Sequence, residues 1–179
     1  MDLKYRNITI SGLVCTGTST LSRHLAEKLK WERSSTGEMF RQYCAEKNIP
    51  LEQTSLRPDS VTLEIDGIVK NRLINDKNLI LEGWLTGFLA REIPRVFKIL
   101  LVCDAALRID RIVNRDNMAV DTAKAHIETR EAENLKKWQR IYGVAGLWDP
   151  KNYDLTIDTY STSKEETLQK TLEALQTNN

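Results

Sequence analysis

The sequence predicts a three-layer α/β/α domain built on a parallel sheet. Three observations carry this. Short, nearly all-apolar runs alternate with stretches of helical spacing, the pattern of strands covered on both faces by helices. The first of these runs leads straight into a glycine-punctuated turn and then a helix. The chain has 179 residues, enough for one compact domain with its own core and short for two independent ones, so a single domain over 1–179 is expected.

Ile8-Thr9-Ile10-Ser11 reads as a short buried strand that ends in Gly12, and a polar turn follows to Gly17. Leu21, Leu25 and Leu29, with Ala26 on the same side, have the spacing of an amphipathic helix. A second helix begins after Ser35-Thr36, which can cap it, and carries Met39, Phe40 and Tyr43. Pro50 and Pro58 break the next stretch into short helical pieces. Val61, Ile65, Ile68, Val69 and Leu73 give residues 60–74 helical spacing. Strands follow at Asn78 to Gly83 and at Val96 to Cys103, then helices at Ala105 to Val113 and, long and polar, at Asp121 to Arg140. Tyr153 to Ile157 is a last strand, and Lys164 to Leu175 a closing helix. Four strands are clear; a fifth near Trp31 to Ser34 is weak. Two helical excursions, Gly37 to Asp76 and Asn114 to Gly146, lack strands of their own. Mobile covers over a cleft and a merely decorated surface both fit that pattern.

Composition excludes several classes. Lys plus Arg is 26 against 25 Asp plus Glu, a net charge of +1, which favours neither nucleic acid nor an anionic membrane as a partner. No apolar run reaches the roughly 18 residues of a membrane span, and Met1 to Asn7 lacks the apolar stretch of a signal peptide. The 3 cysteines (Cys15, Cys44, Cys103) are odd in number and lack metal-ligand spacing, so reduced thiols in the cytoplasm are expected. His24 and His126 are too few for a His-based metal site and receive no role.

Gly12-Leu13-Val14-Cys15-Thr16-Gly17-Thr18-Ser19 has the spacing G-x-x-x-x-G-K-[ST], with Thr18 at the lysine position. The glycines let backbone N–H groups turn inward around polyphosphate oxygens, and the helix start adds free donors and a positive dipole end. Gly12, Cys15, Thr16, Gly17, Thr18, Ser19 and Thr20 are therefore candidate ATP contacts. Ser19 sits where the motif places its Mg²⁺-ligand hydroxyl. Glu82 closes a strand, where an acid holds Mg²⁺ directly or through water. A simple strand-turn-helix packed on glycines is the structural alternative. Without the lysine, another cation must neutralise the phosphates. The same electropositive setting is expected to lower the Cys15 thiol pKa.

These segments resemble the nucleoside monophosphate kinases, most closely the archaeal-type cytidylate kinases. The resemblance rests on Ile8 to Gly12, Gly17-Thr18-Ser19-Thr20-Leu21, Ser35-Thr36-Gly37-Glu38-Met39-Phe40-Arg41, Leu81-Glu82-Gly83-Trp84-Leu85-Thr86-Gly87, Glu128-Thr129-Arg130-Glu131 and Ile141-Tyr142-Gly143. It is patchy but collinear over nearly the whole chain. That family also replaces the loop lysine with threonine. It differs at two positions, with arginine where this chain has Trp84 and a second lid arginine where this chain has Ala132. The resemblance implies a P-loop kinase fold with strand order 2-3-1-4-5, an acceptor-binding flap at about 37–76 and a lid at about 114–146. It implies ATP and Mg²⁺ with a nucleotide acceptor, CMP or dCMP first; a monomer is expected, with an oligomer as the alternative.

Charge placement fits that chemistry, which needs alignment and spread positive charge. Arg41 lies one turn beyond Gly37, and with Thr36 and Gly37 forms the candidate acceptor-phosphate site; a solvated arginine is the alternative. Arg108, Arg111 and Arg115 share a helix face. Either they are ordinary surface paired with Asp104 and Asp110, or Arg111 and Arg115 stand at the lid base with Arg130 as catalytic cations. Asp66 is either a base reader or a helix-surface acid, and Trp84 either stacks on a base or belongs to the core. Trp31, Trp138 and Trp148 are read as packing, Cys44 and Cys103 as small core residues, and Lys136 and Lys137 as solvated charge. An AMP kinase, and a nucleotide-binding protein with little kinase activity, are the rival functions.

Overall fold

The computed structural model describes residues 4–177. Of the polar N-terminal stretch read above, residues 1–3 lie outside the described residues. Strands β1 (Asn7–Gly12), β2 (Glu32–Ser35), β3 (Leu79–Glu82), β4 (Val96–Val102) and β5 (Leu155–Asp158) form a 5-stranded sheet. The order is β2-β3-β1-β4-β5 and each pairing is parallel, as the resemblance implies. Every residue of β1 and β3 is buried, which is why both read as continuous apolar runs. β2, of sequence ERSS, is an edge strand with a charged, partly exposed face, so its signal was weak.

Helices α1 (Thr18–Leu29), α2 (Thr36–Glu46), α3 (Asp59–Asn75), α4 (Thr86–Leu89), α5 (Ala105–Asp116), α6 (Val120–Tyr142) and α7 (Lys164–Thr177) cover the sheet. Side chains alternate along β3, so neighbours enter different cores. Ile80 packs with Leu21 and Leu25 of α1 and Leu175 of α7. Leu79 and Leu81 pack with Val69 and Leu73 of α3 and Trp138 of α6. The cap expected before α2 is Ser35, whose Oγ accepts from the Glu38 N–H at 3.2 Å.

Several expectations change. The stretch between Pro50 and Pro58 holds one 3₁₀ turn, Thr54–Leu56. α4 was not foreseen, because 4 residues are too few to show a helical period. Cys44 is buried as expected, but Cys103 is half-buried, beyond the end of β4. α6 is one helix of 23 residues, and its polar sequence conceals a buried side comprising Ala123, Ile127, Asn134, Lys137 and Trp138.

Lys137 is therefore not the solvated charge expected of it, although Lys136 is exposed. The Lys137 side chain is only 2% exposed; its Nζ donates to the Arg57 carbonyl and lies 3.5 Å from Asp59 Oδ1. The cause is long-range: α6 lies over the segment leading into α3. The Ser55 N–H donates to Glu133 at 2.8 Å, Asn134 Nδ2 to Thr54 Oγ1 at 3.0 Å, and Arg140 pairs with Asp59 at 2.6 Å. The two helical excursions thus meet each other above the sheet. Among the described residues no helix is long and apolar enough to cross a membrane.

Candidate active site

The loop between β1 and α1 has the local geometry that its glycines predict. A Cβ on Gly12 would fall 2.3 Å from Thr16 Oγ1 and 2.7 Å from the Leu101 carbonyl, so only glycine fits. Gly17 caps α1 at φ 99°, in the left-handed region, and Cys15 also has positive φ, at 61°. Thr16 is buried and ties the loop to itself through Oγ1 to the Leu13 carbonyl, 3.0 Å. Thr18, Ser19 and Thr20 form the first turn of α1, where the Thr18 and Ser19 N–H groups lack helical partners and the Thr20 N–H donates to the Gly17 carbonyl at 3.0 Å.

Ser19 and Glu82, 63 residues apart in sequence, meet at the head of the sheet: Ser19 Oγ donates to Glu82 Oε1 at 2.9 Å. Glu82 is buried at the end of β3, beside the loop because β1 and β3 are paired. A hydroxyl and a carboxylate at one point are hard oxygen donors of the kind Mg²⁺ takes, together with phosphate and water, so the residues present fit that ion. Among the described residues no group of three or more His, Cys, Asp or Glu could hold a metal alone. Sequence reasoning missed Arg33 of β2, whose Nη2 reaches Glu82 at 3.1 Å and Glu38 at 2.9 Å.

Two clefts flank the loop. The first, about 530 Å³, is lined by Thr36, Gly37, Phe40, Leu51, Arg57, Asp66, Trp84, Arg130 and Asn134, among others. It gathers most of the expected acceptor residues from α2, α3 and the segment after β3, and adds Arg130 of α6. Gly83 has no room for a side chain, since its Cβ would stand 1.9 Å from Thr36 Oγ1. Arg41 is exposed at the rim, with Nη1 3.3 Å from where a Gly37 Cβ would be. Trp84 lines the cleft and also packs edge-on against Trp138 and Trp148, at 5.4 and 6.3 Å between ring centroids.

The second cleft, about 610 Å³, is lined by Thr16, Gly17, Thr20, Leu21, Leu101, Arg111, Thr159, Thr162, Lys164 and Thr167. Arg111 donates to the Cys15 carbonyl at 2.9 Å and to the Thr159 carbonyl at 2.8 Å, so it braces the loop. Arg115 lies exposed against Asp116, in a two-bond pair at 2.7 Å. Arg108 is buried and pairs with Glu131 of α6. The acids expected to pair with this face do not: Asp104 instead caps α5 by accepting from Ala106 N–H at 2.8 Å.

Arg130 differs from these three. Its guanidinium lies 5.3 Å from the Trp84 ring centroid, and among the described residues it forms no ion pair. Burial first, and then the charges of Arg41, Arg115 and Arg57, lower its pKa to about 10. Arg57, which sequence reasoning also missed, is 4% exposed. It stacks 4.3 Å from the Phe40 ring centroid and gives one hydrogen bond, Nη2 to Asn134 Oδ1, at 3.3 Å. Burial raises Asp66 to about 6, against the lowering effect of the Tyr142 hydroxyl, Lys70 and Arg57. The expectation for Cys15 is reversed: burial raises its thiol pKa and outweighs the lowering by Arg115, Arg130 and Arg108.

Residues 59–161 match the model of the cytidylate kinase-like family. The chain is 35% identical over 175 residues to the cytidylate kinase of Methanopyrus kandleri, covering 89% of this chain and 88% of that one. It is 32% identical over 165 residues to the cytidylate kinase of Methanosarcina acetivorans, with 90% and 91% covered. Among solved structures it resembles shikimate kinase from Acinetobacter baumannii in complex with shikimate, with TM-score 0.64, 19% identity, and 98% and 95% covered. A gluconokinase from Sinorhizobium meliloti gives TM-score 0.66 at 13% identity, with 98% and 94% covered. At those identities the structures share the fold alone, that of the P-loop kinases.

Proposed function

The chain belongs to the cytidylate kinase-like family, and we propose on that footing that it transfers the γ-phosphoryl group of ATP to CMP or dCMP. One observation carries the acceptor side. Arg57, buried, and Arg130, half-buried, line a single cleft, and among the described residues neither has an ion-pair partner. Unpaired charge withdrawn from water is costly, and a bound nucleotide, with acceptors on both its phosphate and its base, relieves it.

The inward-turned amides from Gly12 to Thr20 cradle the ATP phosphates, with Arg111 bracing the loop from behind. Thr36, Gly37 and Arg41 hold the acceptor phosphate, and Asp66 and Trp84 line the space for its base. Arg130 stands between loop and cleft and meets the charge on the transferring group. Arg115 reaches the same charge by exchanging Asp116 for phosphate. The attacking phosphate oxygen is already ionised, so no general base is needed. Ser19 and, through water, Glu82 would hold Mg²⁺, which supplies charge neutralisation on the phosphate oxygens. Segments 37–76 and 114–146 act as the acceptor flap and the lid, and the protein works in the cytoplasm as a monomer.

Arg41→Ala separates the two substrate sites. Losing a charge-assisted pair to phosphate costs about 2–3 kcal/mol, so kcat/KM for the acceptor should fall roughly 30- to 150-fold while KM for ATP stays within about twofold. A rise in KM for ATP with the acceptor unaffected would show that the sites are reversed.

A further inference from the structure

The acceptor cleft has two chemically different ends. Arg130 stands at the end beside the phosphate loop, where the transferring group must be. At the other end, Asp66 of α3 accepts from the Tyr142 hydroxyl at 2.5 Å through Oδ2, and Oδ1 has no hydrogen bond among the described residues. Arg57 lines the same cleft and is close enough to Asp66 for its charge to act on that carboxylate.

We propose that Arg57 is the base-selecting residue of this site. Its guanidinium donates to the ring acceptors N3 and O2 of cytosine, while the neighbouring Asp66 carboxylate accepts from the exocyclic amino group. This rests on the reading of the cleft as the acceptor site.

Three features make Arg57 suited to this and poorly explained as structural. A guanidinium carries five N–H donors, and among the described residues this one gives a single hydrogen bond, to Asn134. Its Nε is buried with no partner. Stacking on Phe40 fixes its plane, and a fixed plane suits an edge that must be read by direction. Its backbone is held as well: Lys137 of α6 donates to the Arg57 carbonyl, and Asn134 clamps Thr54 three residues earlier. The buried lysine and asparagine of α6 are thus positioning residues, and they make acceptor recognition depend on the seat of that helix.

The chemistry discriminates by mismatch. A carboxylate can only accept and a guanidinium can only donate. Cytosine presents a donor beside two acceptors and satisfies both. Uracil presents O4 to the carboxylate and N3–H to one guanidinium donor, keeping only O2 as an acceptor, and so leaves the carboxylate and one N–H facing groups of their own kind, which rejects a substrate strongly. Adenine repeats the amino group and one ring acceptor but has C–H where cytosine has O2, so it loses one of the two guanidinium bonds.

The test uses the full chain, MgATP, and initial rates with CMP and UMP. Arg57→Ala should lower kcat/KM for CMP at least about tenfold more than for UMP, the lower end for a hydrogen-bonded base contact. KM for ATP should not move, and Arg57→Lys should restore part of the preference. Asp66→Asn supplies an N–H₂ donor for O4 and should raise the absolute rate with UMP, a gain that misfolding cannot mimic. A CMP-to-UMP ratio lowered in Arg57→Ala sustains the inference. A wild type active on CMP whose ratio is unchanged in Arg57→Ala overturns this inference alone, whatever Asp66→Asn does. A wild type inactive on every monophosphate overturns the kinase reading with it.

Discussion

Replacing Arg130 by methionine should stabilise the protein and disable it together. Methionine keeps a long apolar stem and removes only the charge. In the folded chain the guanidinium is pushed down to about 10, roughly two units or more below its ordinary value, which at ~1.4 kcal/mol per pH unit amounts to about 3 kcal/mol of unrelieved charge. The sign follows from the direction. A lowered pKa means that folding disfavours the protonated form, so this charge opposes folding in full at neutral pH, and the penalty begins to fade only as pH rises through about 10 towards the unfolded guanidinium's higher value. Against this, the contact with Trp84 at 5.3 Å is lost, worth ~0.5–2 kcal/mol. The net gain is on the order of 1–2 kcal/mol, a rise in apo Tm of about 2–8 °C. Catalysis should move the other way. A preorganised cation facing transition-state charge contributes roughly 10²–10³ in kcat, with much smaller changes in either KM. Differential scanning fluorimetry with and without CMP, beside a coupled ADP-release assay, reads both effects. An apo Tm lowered by more than about 5 °C, or a kcat within about threefold of wild type, would refute the reasoning.

Two further predictions follow from the same geometry. Ser19→Ala removes the hydroxyl that meets Glu82 at 2.9 Å, so Mg²⁺-dependent turnover should drop at least about tenfold while metal-free ATP binding, measured by calorimetry, barely changes. Asp66, at about 6, loses its carboxylate as pH falls, and the protonated acid can donate to O4 of uracil. The CMP-to-UMP ratio of kcat/KM should therefore decline from pH 7.5 to pH 5. Taking the ratio cancels the acceptor phosphate, whose own second pKa is about 6.

The phosphate loop was legible because close approach and left-handed backbone at Gly12 and Gly17 leave a trace in residue type. The β1 and β3 strands were legible because burial on both faces leaves no polar alternation. Lys137 and Arg57 were not, for one shared reason. Each is buried by a contact between segments about 80 residues apart, and neither lies in a motif or a periodic pattern. A polar helix with one buried stripe looks solvated until its partner segment is known. The Cys15 thiol failed differently: the neighbouring cations are there, but burial outweighs them. Arg111 and Arg115 do share a helix face as their spacing requires. Which side chain braces the loop and which reaches solvent depends on Thr159 and Asp116, and spacing does not encode that.

The central claim is acceptor-dependent phosphoryl transfer to a cytidine nucleotide. ADP release from MgATP, followed with CMP, dCMP, UMP, AMP and no acceptor, tests it most directly. CMP and dCMP should drive ADP formation with kcat/KM at least about tenfold above UMP and AMP, and ATP alone should give almost none. ADP release at the same rate with and without acceptor, or a preference for AMP, would contradict it.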